Sequence, residues 1–231
     1  MSDALGAALT DYYNNKSTGK LWVHNNYGPK EEMPVDHYFR EMEEMPELEW
    51  VALQQCRGRI LDIGAGAGSH ALALQKMGQD VTALDISPKA AEVMRARGVK
   101  NVLEGNIFGL TAPGQPYDTL LLLMNGIGLS GTISGLRRFL AKARTLLQPG
   151  GQLVFDSSDI AYLYEETPPP SAQYYGELQH MYEYKKQRSD WFEWLFIDRK
   201  TLSSIAQEEG WKIELLYEDP WDQFLVRCRP A

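Results

Sequence analysis

From Arg59 onward, short apolar runs alternate with stretches in which apolar residues return every three or four positions. The first run, Arg59-Ile60-Leu61-Asp62-Ile63, ends in Gly64-Ala65-Gly66-Ala67-Gly68, and a helical stretch follows over 69–77 until Gly78. A second run covers 81–84 and ends on Asp85. Ser87-Pro88 then supplies an N-cap and a first-turn proline for a helix reaching Arg97 before Gly98. A third run, 101–104, leads to a loop holding Pro113 and Pro116. The fourth, 117–124, is continuously apolar from Leu120, as in a central parallel strand covered on both faces. Leu136, Phe139, Leu140, Ala143 and Leu147 then share one helical stripe, and Pro149-Gly150-Gly151 leads to a strand at 152–155. This succession predicts parallel pairing with right-handed crossovers.

The order changes beyond Asp156. Residues 157–197 carry three successive prolines (168–170) and many Tyr and Trp residues, and 177–196 predicts an antiparallel excursion turning near 187–190. Asp198 is placed to cap a helix over 201–209, ended by Gly210. Strands at 212–217 and 223–229 are separated by Asp219-Pro220, a link so short that the pair must be antiparallel. The first 58 residues show no strand alternation and read as short helices, with Pro46 opening the last one. The fold expected is α/β: a doubly wound, mostly parallel seven-stranded sheet with its last strand antiparallel, an N-terminal helical segment and an inserted hairpin. One domain is expected over 1–231, made of an N-terminal cap (1–58), a core (59–156), an aromatic insert or lid (157–197) and a terminal helix with a strand pair (198–231).

Composition narrows the function. A chain of 231 residues buries a large core without disulfides. Its formal charge of −8 repels polyphosphate, which argues against nucleic acid as a partner. Arg137, Arg138, Lys142 and Arg144 read as the wet face of a helix. The two cysteines, Cys56 and Cys228, lack metal-ligand spacing, so reduced buried thiols and no metal are expected. The N-terminus has no signal-peptide pattern, and the run from Leu120 to Met124 is too short to span a bilayer; a cytoplasmic protein without a membrane partner is expected.

The Gly-rich turn selects among ligands. A strand ending in Gly-x-Gly-x-Gly and feeding a helix lets backbone approach a ligand closely at the carboxyl end of the sheet. The dinucleotide fingerprint would require glycine at Ser69, whereas the third glycine here is Gly68. A carboxylate at Asp62 would sit poorly beside a pyrophosphate, while Asp85 at the next strand tip can accept both hydroxyls of a ribose. A ligand with a ribose, an ammonium and no phosphate fits, and S-adenosyl-L-methionine is one.

Residues 60–68 resemble the first motif of the Rossmann-like S-adenosylmethionine-dependent methyltransferases, and 81–87 their second. Glu104-Gly105-Asn106 stands where that family has Gly-Asp beside the adenine, and Leu147-Gln148-Pro149-Gly150-Gly151 is similar to their late motif. The resemblance implies that Gly64, Ala65, Gly66 and Gly68 wrap the methionine part of the cofactor, with Asp62 near its ammonium. It implies that Asp85 and Ile86 serve the ribose end and that Asn106 and Ile107 flank the adenine. Asparagine in place of the usual aspartate keeps a side-chain carbonyl acceptor there. Arg40, in an N-terminal segment that covers the cofactor in related enzymes, is the candidate for its carboxylate.

Methyl transfer from a sulfonium depends mostly on alignment, and a base is needed only for a protonated acceptor. The catalytic candidates are therefore few: Asn125 at the end of the fourth strand, Asp156 and His180. Met124-Asn125-Gly126-Ile127-Gly128 lacks the paired prolines of the amino-methylating enzymes, which disfavours DNA bases and glutamine side chains as acceptors. The aromatic insert can form a substrate lid, a satellite core or a dimer surface, so a homodimer is compatible with it. The reading is methyl transfer to a small-molecule acceptor; the alternatives are a protein methyltransferase, a nicotinamide-dependent oxidoreductase and a non-catalytic cofactor-binding protein.

Overall fold

The computed structural model describes residues 2–16, 19–111, 114–164 and 173–231; Pro113 and the three prolines at 168–170 lie outside them. The chain runs α1 (Ala4–Tyr13), β1 (Leu21–Asn25), β2 (Glu31–Glu32), α2 (Glu47–Gln55), β3 (Arg59–Ile63), α3 (Ser69–Lys76), β4 (Asp80–Asp85), α4 (Pro88–Arg97) and β5 (Asn101–Glu104). It continues with β6 (Tyr117–Leu122), α5 (Ile133–Leu146), β7 (Leu147–Ser158), β8 (Glu177–Tyr184), β9 (Gln187–Arg188), β10 (Phe192–Leu195), α6 (Arg199–Glu208), β11 (Trp211–Glu218) and β12 (Gln223–Pro230).

Seven strands form one mixed sheet in the order β11-β12-β7-β6-β3-β4-β5. β4 and β5 pair in parallel, as do β6 and β7, while β12 lies antiparallel to both β7 and β11. This is the α/β architecture expected, down to the antiparallel last strand. Leu120, Leu121 and Leu122 of β6 are fully buried, as a strand covered on both faces requires. Leu136, Phe139, Leu140 and Ala143 are fully buried on the predicted stripe of α5. The caps are those the sequence announced: the Ser87 side chain accepts from Ala90 N, and Asp198 accepts from Thr201 N.

The backbone packs as two compact units, one built from 1–45, 61–110 and 179–192, the other from 46–60, 111–178 and 193–231. In the first, α1 packs its small residues Ala4, Ala7 and Ala8 with Leu21, Ala67, Ala90 and Tyr184 in one buried cluster. In the second, Arg57 and Arg59 tie the start of β3 to β6: the Arg57 amide donates to Thr119 Oγ1 at 3.2 Å, and the Arg59 amide to Asp118 Oδ2 at 2.7 Å. Among the described residues no helix is long and apolar enough to cross a membrane. Cys56 and Cys228 are buried thiols.

Two expectations need correction. The N-terminal segment is not helical throughout: β1 and β2 lie in it, and they join β8, β9 and β10 in a second sheet of order β10-β8-β1-β2, with β9 on β8. Leu21 and Val23 are buried while Trp22 and His24 are partly exposed, but the alternation spans only five residues. The inserted hairpin turns at Lys185-Lys186, because Tyr184 already pairs with Gln187. Lys185 takes a left-handed φ of 53° without the Gly or Asn that marks such turns. The basic face of α5 is wet as expected, with Arg138 and Arg144 exposed, and it also ties down the end of α6. Arg137 pairs with Glu208 and Glu209, and Arg144 donates to the carbonyls of Glu209 and Gly210, where the α6 dipole is negative.

Candidate functional site

The first unit holds the Gly-rich turn. Gly64 N and Ala65 N both donate to Leu84 O, which stitches the end of β3 to β4. Gly66, at φ 56°, donates its N–H to Asp85 Oδ2 at 2.8 Å. A Cβ at Gly66 would stand 2.9 Å from Tyr38 Cδ1, and one at Gly68 would stand 2.8 Å from Val99 Cγ2. Both glycines are therefore required twice, by left-handed backbone and by close packing. At these two positions the turn has no room for a side chain.

Two carboxyls flank it. Asp85 Oδ1 accepts from Ser87 N at 2.8 Å, so each oxygen of this carboxylate holds a backbone N–H, and the Ile86 amide adds a further one. Burial pushes its pKa up to about 6, against the pull of the Ser87 and Gly66 hydrogen bonds. Asp62 is 1% exposed, and burial likewise raises it to about 6; the nearby Asp85 adds to the rise, while His70 and the Ala71 amide oppose it. Asp62 Oδ2 makes no hydrogen bond to any described residue. A buried carboxylate oxygen without a donor is costly, and a cation is what would satisfy it.

The remaining predicted site residues of this unit differ in exposure and in what already holds them. Ile86 is 66% exposed beside Asp85, whereas Ile107 is buried. Asn106 Oδ1 accepts from Phe108 N at 2.9 Å, so its carbonyl caps its own short turn and its amide nitrogen is the group left to meet a ligand. Arg40 closes the 3₁₀ turn Val35–Phe39 as its C-cap residue. Tyr38, from that turn, lies over Gly66 and shares a hydroxyl hydrogen bond with Tyr182 of β8. His180 also belongs to this unit; burial pushes it down to about 4, so its ring is neutral near pH 7, and it stands edge-on to Phe192.

Asn125 and Asp156 belong to the second unit. β6 stops two residues short of expectation because Met124 and Asn125 both take left-handed backbone, with φ of 62° and 54°. Asp156 holds that turn: its carboxylate accepts from Asn125 N at 2.9 Å, Gly126 N at 3.2 Å and Gln223 Nε2 at 3.2 Å. Asp156 is thus a positioning group. The Asn125 amide is fixed by its Nδ2 donating to Leu195 O at 3.2 Å, and its buried Oδ1 makes no hydrogen bond to a described residue. Asp159, just past the end of β7, accepts from Tyr175 Oη at 2.6 Å, and Asp198 from Tyr174 Oη at 2.6 Å. This part of the aromatic insert is a buttress of Tyr–Asp pairs.

Sequence reading missed Gln223 and Arg97. Neither carries a local signal, since Gln223 opens a strand and Arg97 sits in a last helical turn, where basic residues are ordinary. Among the described residues no group of three or more His, Cys, Asp or Glu could hold a metal ion.

Residues 60–151 match a family described as a methyltransferase domain. The whole chain is similar to the solved structure of a S-adenosylmethionine-dependent methyltransferase from Bacteroides fragilis in complex with S-adenosyl-L-homocysteine. The match has 41% identity and a TM-score of 0.92, over 100% of this chain and 95% of that one. Its likeness to the CcbJ methyltransferase from Streptomyces caelestis, 16% identical with a TM-score of 0.66 over 99% and 98% of the two chains, speaks for the fold alone. Among curated proteins it is similar to the ribosomal protein L11 methyltransferase of Marinobacter nauticus, 36% identical over 109 residues, which are 46% of this chain and 36% of that protein. It is also similar to the demethylmenaquinone methyltransferase of Tropheryma whipplei, 32% identical over 98 residues, 41% of this chain and 39% of that protein. The chain thus spans little more than a third of the length of these curated relatives.

Proposed function

Because the chain belongs to the S-adenosylmethionine-dependent methyltransferases, we propose that it transfers a methyl group from this cofactor to a small-molecule acceptor. The observation that carries the cofactor's placement is the cradle of Gly64 to Gly68 between two buried carboxyls, one with a bare oxygen. Bound there, the cofactor supplies a sulfonium methyl that a nucleophile displaces in line.

The chain's own residues then have separable tasks. Gly64, Ala65, Gly66 and Gly68 admit the methionine part; Asp62 Oδ2 meets its ammonium and Arg40 its carboxylate. Asp85 accepts from the ribose hydroxyls. Ile86 and Ile107 cover the adenine faces, with the Asn106 amide at its edge. Asn125 Oδ1 is the acceptor for a donor N–H or O–H on the incoming nucleophile, and Asp156 keeps it aimed. His180, held neutral, is the lesser candidate because a base of pKa about 4 takes up protons weakly near pH 7. A charge of −8 and two buried thiols support the rest of the reading: no nucleic acid or membrane partner and a cytoplasmic setting, while the aromatic insert is compatible with a homodimer.

Calorimetric titration with S-adenosyl-L-homocysteine and with NAD tests the assignment, repeated on Asp85→Ala. Binding of the first ligand only, lost in the variant, is expected. Binding of NAD, or equal affinity in Asp85→Ala, overturns the placement. Screening methyl release against a metabolite panel and against proteins then separates a small-molecule acceptor from a protein one.

A further inference from the structure

Arg97 ends α4, yet the four hydrogen bonds of its guanidinium all go to acceptors outside that helix. Nη1 donates to Ala67 O at 2.7 Å, Ser69 Oγ at 3.2 Å and Tyr38 O at 3.4 Å, and Nη2 donates to Phe39 O at 3.3 Å. The guanidinium carbon also lies 4.8 Å from the centroid of the Phe39 ring. Ser69 Oγ closes the circuit by donating to Tyr38 O at 2.8 Å. A helix-capping arginine would instead turn back to its own last carbonyls.

The two segments joined in this way are unequal. Ala67 and Ser69 belong to the Gly-rich turn and the start of α3, which the sheet and helix hold. Tyr38 and Phe39 belong to a strap over 35–44 made only of two 3₁₀ turns. Short 3₁₀ pieces hold themselves weakly. The strap has other anchors as well: Val35 in the buried cluster with α1, the Tyr38 hydroxyl on Tyr182, the Phe39 ring 4.6 Å from Tyr12, and an ion pair of Glu41 with Lys76; the guanidinium is the one that ties its backbone carbonyls to the Gly-rich turn. The strap nevertheless sets the Tyr38 ring against Gly66, in the middle of the cradle.

We infer that Arg97 is a positioning residue for the cofactor site. It holds Tyr38 and Phe39 down on the Gly-rich turn, and so governs cofactor affinity and release without touching the reacting atoms. The inference rests on the reading that this turn holds S-adenosylmethionine. A planar fork with five donors serves carbonyls of two segments at once; a lysine ammonium lacks that shape and reaches fewer of them.

Arg97→Ala and Arg97→Lys test this against Leu136→Ala, a core truncation in α5 that lowers stability elsewhere. Affinity for S-adenosyl-L-homocysteine is expected to fall roughly 10- to 100-fold in Arg97→Ala and about 10-fold in Arg97→Lys, with faster release in stopped flow. Leu136→Ala should lower the melting temperature and leave both quantities near the parent's. In the ligand-free protein, hydrogen exchange at 38–44 should speed up in both Arg97 variants and not in Leu136→Ala. Parent-like affinity and release in the Arg97 variants, or changes matched by Leu136→Ala, overturn the inference; if Arg97→Ala does not fold, Arg97→Lys decides. If the parent itself fails to bind the ligand, the cofactor reading falls, and the exchange rates at 38–44 still decide whether Arg97 clamps the strap.

Discussion

At Asp62 the chain keeps a carboxyl that its own fold disfavours. Burial raises the pKa from 3.8 to about 6, so the native state holds the proton that the unfolded chain releases near pH 4. Between those values the folded form binds more protons, and stability falls as pH rises through this window. The loss attributable to Asp62 is about 1–3 kcal/mol and is complete above pH 6. Asp85, raised in the same direction, adds a loss of the same sign. Urea unfolding should therefore show Asp62→Asn losing less stability than the parent between pH 4.5 and pH 7, a comparison in which the opposite contribution of His180, pushed down to about 4, cancels. An Asp62→Asn protein with the parent's full pH dependence would contradict the buried-charge account. Ligand binding should run the opposite way, because an ammonium needs the ionised carboxylate. Affinity for S-adenosyl-L-homocysteine is expected to drop as pH falls from 7 to 5, and to drop less steeply from an already weak value in Asp62→Asn. Instability and binding then come from the same oxygen.

Between β6 and α5 the informative object is a turn rather than a residue. Two consecutive non-glycine residues, Met124 and Asn125, stand in the left-handed region, a conformation that persists only where its surroundings fix it. Asp156 of β7 supplies that fixation by accepting from two successive backbone amides. In Asp156→Ala those buried N–H groups lose their acceptor, at a cost of about 2–4 kcal/mol, and turnover should fall more than cofactor affinity. Asp156→Asn keeps one acceptor oxygen and should retain most of the activity at a lower melting temperature. Abolished turnover with unchanged stability in Asp156→Asn would instead mean that the carboxylate takes part in chemistry.

The same scale explains what could be read from the sequence. The central strands of the main sheet were legible because burial on both faces writes continuous apolar runs, as at Leu120 to Leu122, and because caps such as Ser87 and Asp198 mark helix starts. The second sheet was not, since β1 is five residues long and its partner β8 lies more than 150 positions away, with His24 opposite Met181. The glycines and acids of the site were legible because backbone geometry demands particular residue types there. Tyr38 and Arg97 act through tertiary contacts, which leave no local pattern, and Asp156 was recognisable as an acid but not as the support of a strained turn.

For the whole molecule the decisive fact is how the chain is threaded. Each compact unit is assembled from three separate stretches, and the first takes in 1–45, 61–110 and 179–192. Its cluster of Leu9, Leu21, Ala67 and Ala90 is completed by Tyr184, which is 1% exposed, with Tyr182 packed against it. Both tyrosines arrive from the far end of the sequence, and β8 pairs with β1 over residues 21–25. Loop closure over such separations is slow and is rewarded only once the late segment has docked. An N-terminal fragment covering 1–110 contains the whole Gly-rich turn but neither tyrosine, so it should lack a cooperative thermal transition and bind no S-adenosyl-L-homocysteine. Adding a peptide covering 177–196 in trans should restore part of the secondary-structure signal, because the missing strand and core side chains come with it. Circular dichroism of the fragment alone checks this. A cooperative melt there would mean that the cofactor-binding half folds independently and that the late segment is an accessory. Its absence would make the chain one folding domain whose cofactor site exists only after β8 has been made and paired.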